Sequence, residues 1–356
     1  WPLTADGVSL YWNGLNRGKR SVTADLSDPE VRELLSELAA RAGNFLTNFP
    51  TRGWLAYDRL RERRDDLVMV AVTGSPDGTS AVDYTINCAV GYPAITGHPD
   101  DSRPVNHSLP AWDLICGQTA ALGILAADRH RFRTGEGQLV GLALADVAMA
   151  AVAWRGELAE VEVNGSERES TGNDLYGAFG RDFVTADDRR VMVVAITPRQ
   201  WEGLQVATGT GGAVDELAVE LGLDLTDEGV RFVARDRLGK IFAPWFAERT
   251  LAQVAEGLDA HGACWGPYRT FRQMLDEDPR CSTGNPMFAE VDQPGVGVHL
   301  VPGSPLAFGG PEAGERGAVA APRLGEHTEV VLSVELGLGP AEIGALVDRG
   351  AVALSN

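Results

Sequence analysis

No stretch of this 356-residue chain approaches the ~18–20 consecutive apolar residues that a membrane-spanning helix needs. Its start, Trp1-Pro2-Leu3-Thr4, has neither the basic segment nor the apolar stretch of a secretory signal. Cysteine is scarce. Cys88, Cys116, Cys264 and Cys281 stand far apart with no CxxC pair, the pattern of free or buried thiols rather than of disulfides or a zinc site. The six histidines form no HxxxH or HxxH pair, so no metal is expected. Positive charge is short as well: 31 Lys and Arg face 50 Asp and Glu, a net −19, which repels a nucleic-acid backbone. These absences leave a cytoplasmic enzyme as the expectation, with no nucleic-acid and no membrane partner.

What is present is a globular composition, 44% hydrophobic and 23% charged. Basic residues gather in Asn16-Arg17-Gly18-Lys19-Arg20 and again from Arg59 to Arg64. A local positive patch on an acidic chain suits a small polyanion such as a phosphorylated cofactor; a solvated loop and helix face is the plainer reading. The chain then alternates strand and helix patterns. Ser21–Leu26 reads as a strand, and Ser27-Asp28-Pro29 as a cap with proline in the first helical turn. Val31, Leu34, Leu35, Leu38 and Ala42 share one helical face that Gly43 ends. Asn44–Asn48 reads as a strand, Leu55–Arg64 as a helix, and the apolar run Leu67–Thr73 as a parallel strand buried on both faces. This βαβαβ pattern predicts an α/β, doubly wound, Rossmann-like large domain.

A loop is expected from Gly74 to about Pro110, then a long helix over Ala111–Arg131, a turn at Arg133–Gln138 and a strand at Leu139–Leu144. Beyond about residue 180, shorter strands and helices predict a smaller α+β domain. Gly- and Pro-rich sequence from Gly295 to Ala321 reads as a linker, and a helix at Ala341–Asp348 closes the chain. The expected division is 1–180, 181–295 and 296–356. The run Gly209-Thr210-Gly211-Gly212 lacks the third glycine of a nucleotide loop and follows a helix, which makes it a helix-ending loop.

Asp146 is the only ionisable residue between Leu139 and Ala153. One reading makes it a helix cap at a strand-to-helix corner, opening a helix over Val147–Trp154. The other makes it a nucleophile, since a helix N-terminus favours the charged carboxylate, which is then available to attack. His107 and His327 have no serine or cysteine nucleophile motif beside them.

Several segments, taken in order, resemble the family III coenzyme A transferases. They are Asn16-Arg17-Gly18-Lys19-Arg20-Ser21, Thr47-Asn48-Phe49, and Asp83 through Gly97. Trp112-Asp113 with Gly117 and Leu122–Ala127 follow, then Arg133-Thr134-Gly135-x-Gly137-Gln138 with Asp146 eight residues on. Asp278-Pro279 and Ala321–Thr328 complete the series. The resemblance implies an interlocked homodimer and an acyl-CoA substrate, with CoA entering as part of that substrate and no permanently bound cofactor. It implies that Asp146 takes CoA covalently, that Lys19 and Arg20 face CoA phosphates, and that Asn48 and Phe49 border the nucleotide. Racemase members of the family use Gly-His-Asp and Gly-Ala-Ile-Glu-Pro elements. The positions matched to them here read Ala111-Trp112-Asp113 and Val194-Ala195-Ile196-Thr197-Pro198, so proton-transfer racemisation is disfavoured and acyl transfer survives.

Leu175–Phe183, Pro110–Asp113 and Cys281–Ala289 resemble members that pass CoA between the two carboxyls of one unsaturated dicarboxylate. Transfer to a separate acid acceptor is the alternative. Family members begin with a strand, a glycine-bearing turn and a helix that this chain does not show. The resemblance therefore implies an N-terminally truncated chain, and a further alternative is a protein that keeps the dimer surfaces without binding CoA. Phe49-Pro50-Thr51-Arg52-Gly53-Trp54 also departs from the family's Arg-Pro-Gly with a later arginine.

Overall fold

The computed structural model describes residues 1–309 and 317–355. Backbone contacts divide the chain into two compact units. Trp1–Gly78, Cys116–Ala143 and Phe271–Asn356 form the first, and Thr79–Ile115 and Leu144–Thr270 the second.

In the first unit, α1 (Leu10–Leu15) is capped by Ser9, whose hydroxyl accepts from the Trp12 N–H at 3.1 Å. Ser21–Leu26, expected as a strand, is not one. The C-terminal segment takes its polar groups one at a time: Ser21 N–H donates to His327 Nδ1 (3.2 Å), Thr23 N–H to Thr328 Oγ1 (3.1 Å) and Asp25 N–H to the Ala351 carbonyl (2.8 Å). With mixed side-chain and backbone partners no ladder forms. α2 (Pro29–Ala42) begins where Asp28 accepts from the Glu30 and Val31 N–H groups and ends at Gly43 with φ 73°. That left-handed cap favours glycine, and a Cβ there would lie 2.4 Å from the Arg64 guanidinium carbon.

β1 (Asn44–Thr47), α3 (Tyr57–Arg61) and β2 (Val68–Thr73) follow. α3 is shorter than the expected Leu55–Arg64 because its basic end has other work. Arg64 donates to the Ala40 and Arg41 carbonyls at 3.0 and 3.1 Å, closing the end of α2, and Arg63 pairs with Glu33 at 2.6 Å. The loop expected over Gly74–Pro110 holds two short helices of the second unit, α4 (Asp83–Ala89) and α5 (Tyr92–Ile95). After them come α6 (Ala111–Thr134), β3 (Leu139–Ala143) and α7 (Leu144–Trp154).

β1, β2 and β3 pair in parallel in that order, with Phe45 beside Met69 and Val70 beside Val140. β2 is the central strand, and Val68, Met69 and Val70 are fully buried on it. That burial on both faces is why its sequence shows no polar alternation.

In the second unit, α8 (Glu157–Asn164) precedes β4 (Phe179–Val184) and β5 (Arg190–Ala195). Helices α9 (Pro198–Thr208), α10 (Gly211–Leu221), α11 (Glu228–Val233), α12 (Arg235–Ala247) and α13 (Leu251–Ala260) lead to β6 (Cys264–Pro267). The three strands form an antiparallel sheet with β5 in the middle. Its alternate residues Val191, Val193 and Ala195 pack into a core with Phe179, Trp201, Leu204, Phe242, Phe246 and Leu258. Gly209 ends α9 in the left-handed region, so the glycine run there is a helix-ending loop.

The chain returns to the first unit through α14 (Phe271–Glu277) and a hairpin of β7 (Phe288–Gln293) and β8 (Gly297–Pro302). The hairpin occupies part of the Gly- and Pro-rich stretch expected as a linker, and residues 310–316 of that stretch lie outside the described residues. The final helix α15 (Pro340–Asp348) places Ile343 and Leu346 in a cluster with Val31 of α2 and Leu332. No helix among the described residues is long and apolar enough to cross a membrane.

Gly137 tests the packing at the entry to the parallel sheet. A Cβ there would sit 2.2 Å from the Leu67 carbonyl oxygen and 2.3 Å from the Asp66 carbonyl carbon, both backbone atoms that cannot step aside alone. Gly137→Ala is expected to destabilise the fold by at least about 1–3 kcal/mol, read as a lower urea midpoint. An unchanged midpoint would show that the turn adjusts freely.

Candidate active site

β3 runs into α7 without a loop, so the helix begins at Leu144 and Asp146 is its third residue rather than its cap. The sequence expectation of a helix starting at Val147 is corrected by three residues. Leu144, Ala145, Val147 and Ala148 around it are buried, whereas Asp146 is exposed. Its carboxylate makes no hydrogen bond or ion pair among the described residues. It stands in a first helical turn, where the unpaired N–H groups favour negative charge.

A second carboxylate occupies the same kind of position. Asp113 lies in the first turn of α6, beside a cluster that α4 organises. Asp83 and Asn87 fall four residues apart and so share a face of α4. Asp83 is 1% exposed. Its Oδ2 accepts from the Trp112 N–H at 2.7 Å and the Asp113 N–H at 3.2 Å, which satisfies two of the free donors at the start of α6. The indole N–H of Trp112 donates to Asn87 Oδ1 at 3.2 Å, and Asn87 Nδ2 donates to Asn106 Oδ1 at 3.3 Å. Tyr92 stacks on Trp112 at 5.8 Å between ring centroids, and His107 meets it edge-on at 6.3 Å. Burial, and then the nearby charge of Asp83, push the Asp113 carboxyl above its ordinary value.

α4 also packs against α7. A cavity of about 280 Å³ in the same unit takes Tyr92 from the Trp112 cluster and Val152 from α7 into its lining, with Ile95, Leu158, Glu157 and Arg168. Asp113 was legible in the sequence only as part of a family segment. The pattern that picked out Asp146, an acid in a first helical turn, was equally present after Pro110, but the buried partner Asp83 lies thirty residues away.

The residues expected to meet CoA all lie in the first unit. Lys19 is exposed, with Nζ 3.0 Å from Asn16 Oδ1. Arg20 is already paired to Glu335 at 2.7 Å. Asn48 and Phe49 leave the C-terminal end of β1, the edge where open parallel sheets receive ligands. Both are exposed, and they line a cavity of about 450 Å³ with Leu35, Leu38, Phe45 and Trp54. Arg17, within the same basic segment, has Nε and Nη1 buried without a partner among the described residues, and burial lowers its pKa. No group of three or more His, Cys, Asp or Glu among the described residues is placed to share a metal ion.

The chain belongs to CoA-transferase family III, whose description it matches over residues 1–328, and it is an enzyme of that family. It is 52% identical to the 2-methylfumaryl-CoA isomerase of Chloroflexus aurantiacus, over 99% of this chain and 87% of that protein. It is 30% identical to the succinyl-CoA:mesaconate CoA-transferase of Haloarcula hispanica, over 95% of this chain and 86% of that one. Its α/β fold matches a CaiB/BaiF family protein from Brucella suis with a TM-score of 0.73 at 22% identity, covering 92% of this chain and 84% of the other.

The raised pKa of Asp113 has a consequence for stability. The folded chain holds this proton more tightly than the unfolded chain, so folding loses stability as pH rises from the ordinary carboxylate value through the folded one. Asp113→Asn removes that loss. Its thermal midpoint should exceed that of the unaltered chain at pH 7 and converge with it below about pH 3.9. A difference that does not depend on pH would mean that Asp113 is not desolvated.

Proposed function

We propose that the chain moves CoA between the C1 and C4 carboxyls of mesaconate (2-methylfumarate) through an aspartyl-CoA thioester. The observation that carries this reading is the 52% identity, spread over 99% of the chain, to a 2-methylfumaryl-CoA isomerase. A second relative is named for mesaconate as an acceptor, so the same dicarboxylate recurs at lower identity. CoA enters as part of the acyl-CoA substrate, with no other cofactor, and the working form is an interlocked cytoplasmic homodimer. The division into a large CoA-binding domain (1–180), a small domain (181–295) and a returning segment (296–356) belongs to the same proposal. So do the roles of Lys19 and Arg20 toward CoA phosphates and of Asn48 and Phe49 at the nucleotide.

The reaction needs one enzyme carboxylate. It attacks the C1 thioester carbonyl, and collapse of the tetrahedral oxyanion expels CoA thiolate and leaves a mixed anhydride. The thiolate attacks the aspartyl carbonyl of the anhydride, releasing the mesaconate C1 carboxylate and leaving an aspartyl-CoA thioester. The C4 carboxylate then attacks that thioester and the steps reverse, giving the C4 thioester and the free aspartate. Carboxylate and thiolate are the nucleophiles and leaving groups throughout, so no proton moves and no general base is required. Backbone N–H groups of the surrounding loops stabilise the oxyanions.

Two aspartates are candidates for the covalent step. Asp146 is the one that sequence singles out, and its exposed carboxylate is free to react. Asp113, likewise exposed, is favoured by a specific observation, a carboxyl raised by partial desolvation and by the buried Asp83 that accepts from its N–H, since perturbed carboxyls gather at reacting centres. We therefore place the nucleophile at Asp113, with Asp146 as the second reading. Transfer to a separate acid is the alternative function.

The test is incubation with mesaconyl-C1-CoA and no added acid, followed by chromatography for the C4 isomer and mass spectrometry for a CoA adduct. Isomer is expected from the unaltered chain. Asp113→Ala should lose the adduct and lower kcat by at least about a thousandfold, while Asp146→Ala keeps the adduct. The opposite pattern would move the nucleophile to Asp146. Turnover only after succinate is added would make the chain an intermolecular transferase.

A further inference from the structure

Buried polar atoms ordinarily have partners, and those that lack one ask for an explanation. Around Trp112, three have none among the described residues: Asp83 Oδ1 and both ring nitrogens of His107. His107 is not a loose side chain. Asn106, just before it, is tied to Asn87 of α4 at 3.3 Å, and the imidazole rests edge-on against Trp112 with centroids 6.3 Å apart at 65°. Trp112 is itself fixed from two sides, through its N–H to Asp83 and its indole to Asn87. The residue that follows it is Asp113. A pinned imidazole with both nitrogens out of water and uncommitted therefore rests on Trp112, the residue that precedes the aspartate we place at the chemistry.

A dicarboxylic acyl group brings a charged, non-reacting carboxylate into this acidic cluster. Asp83 and Asp113 repel it, so it needs a donor, and the indole N–H of Trp112 is already given to Asn87. Asn87 Nδ2 gives one of its N–H groups to Asn106. The two carboxyls must also exchange roles within one turnover. A bidentate arginine would hold one of them in the ground state, at the expense of the transition state. A single imidazole N–H offers one directional bond that the carboxylate can leave.

We propose that His107 hydrogen-bonds the non-reacting carboxylate of the acyl group and keeps the released dicarboxylate beside the aspartyl thioester, so that it and not a free acid attacks. This inference rests on the intramolecular reading above. It makes His107 a determinant of the choice between intramolecular and intermolecular transfer.

The experiment uses the whole chain with mesaconyl-C1-CoA and an excess of isotopically labelled free mesaconate, comparing the unaltered protein, His107→Phe and His107→Gln. Loss of one hydrogen bond to a charged group predicts isomerisation at least about tenfold slower in His107→Phe. Label entering the CoA ester per turnover should rise severalfold. His107→Gln, which keeps a donor of similar reach, should recover part of the rate and most of the exclusion of label. Rate and label uptake within about twofold of the unaltered protein in His107→Phe would overturn the proposal. So would equal loss of rate in both variants without a rise in label, since that is the mark of a structural role. If the unaltered protein forms no C4 isomer, the functional reading fails first, and the inference falls with it whatever the variants do.

Discussion

A parallel strand buried on both faces dictates much of the first unit. β2 sits between β1 and β3, with Val68, Met69 and Val70 fully out of water. Parallel neighbours cannot be joined by a hairpin, so each connection must cross over and return. The β1–β2 crossover is short and carries α3. The β2–β3 crossover is long, and it is this excursion that carries α4, α5 and the start of α6, the elements that assemble the Trp112 cluster. Parallel pairing also sends β1, β2 and β3 out at one edge, which is where Asn48 and Phe49 emerge.

The buried polar groups differ in how much of their hydrogen-bonding capacity is used. Arg231 is 1% exposed, yet its guanidinium donates to four carbonyls, those of Ala195, Ile196, Leu225 and Thr226, and lies over the Trp201 ring. Arg131 donates to the Gly43 carbonyl at 2.7 Å, and Arg64 to those of Ala40 and Arg41. Such cations replace water with backbone oxygen and hold loops and helix ends. Among the described residues Arg231 still leaves its Nε without a partner, as Asp83 leaves Oδ1 and Arg17 leaves Nε and Nη1, whereas His107 has neither ring nitrogen used. Leaving such capacity unused costs stability.

The approach of the two chain ends within the first unit follows similar logic. Ser21, Thr23 and Asp25 find their partners at His327, Thr328 and Ala351, some three hundred residues on. The basic segment Asn16–Arg20 is thereby anchored by the closing signature of the chain, and Gly18 N–H itself reaches the Ala320 carbonyl. The two segments quoted for the family resemblance at opposite ends of the sequence are one structural feature.

Local sequence was enough wherever the controlling interaction was local. The cap of α2 at Asp28, its end at Gly43, the buried run of β2 and the glycine ending of α9 depend on periodicity, caps and backbone freedom within a few residues, and all were legible. The family was legible too, because its segments keep their order along the chain. Long-range partners decided the rest. Ser21–Leu26 has the pattern of a strand but gives its hydrogen bonds to the C-terminus, and Arg63 and Arg64 leave a helix to pair with α2. Asp146 stood out because its sequence neighbours are apolar. Asp113 did not, because the partial desolvation and the neighbouring Asp83 that raise its pKa come about only in the folded chain. Sequence determines which side chains can carry charge and which helices can begin where; only the tertiary structure decides which of those charges lose their water.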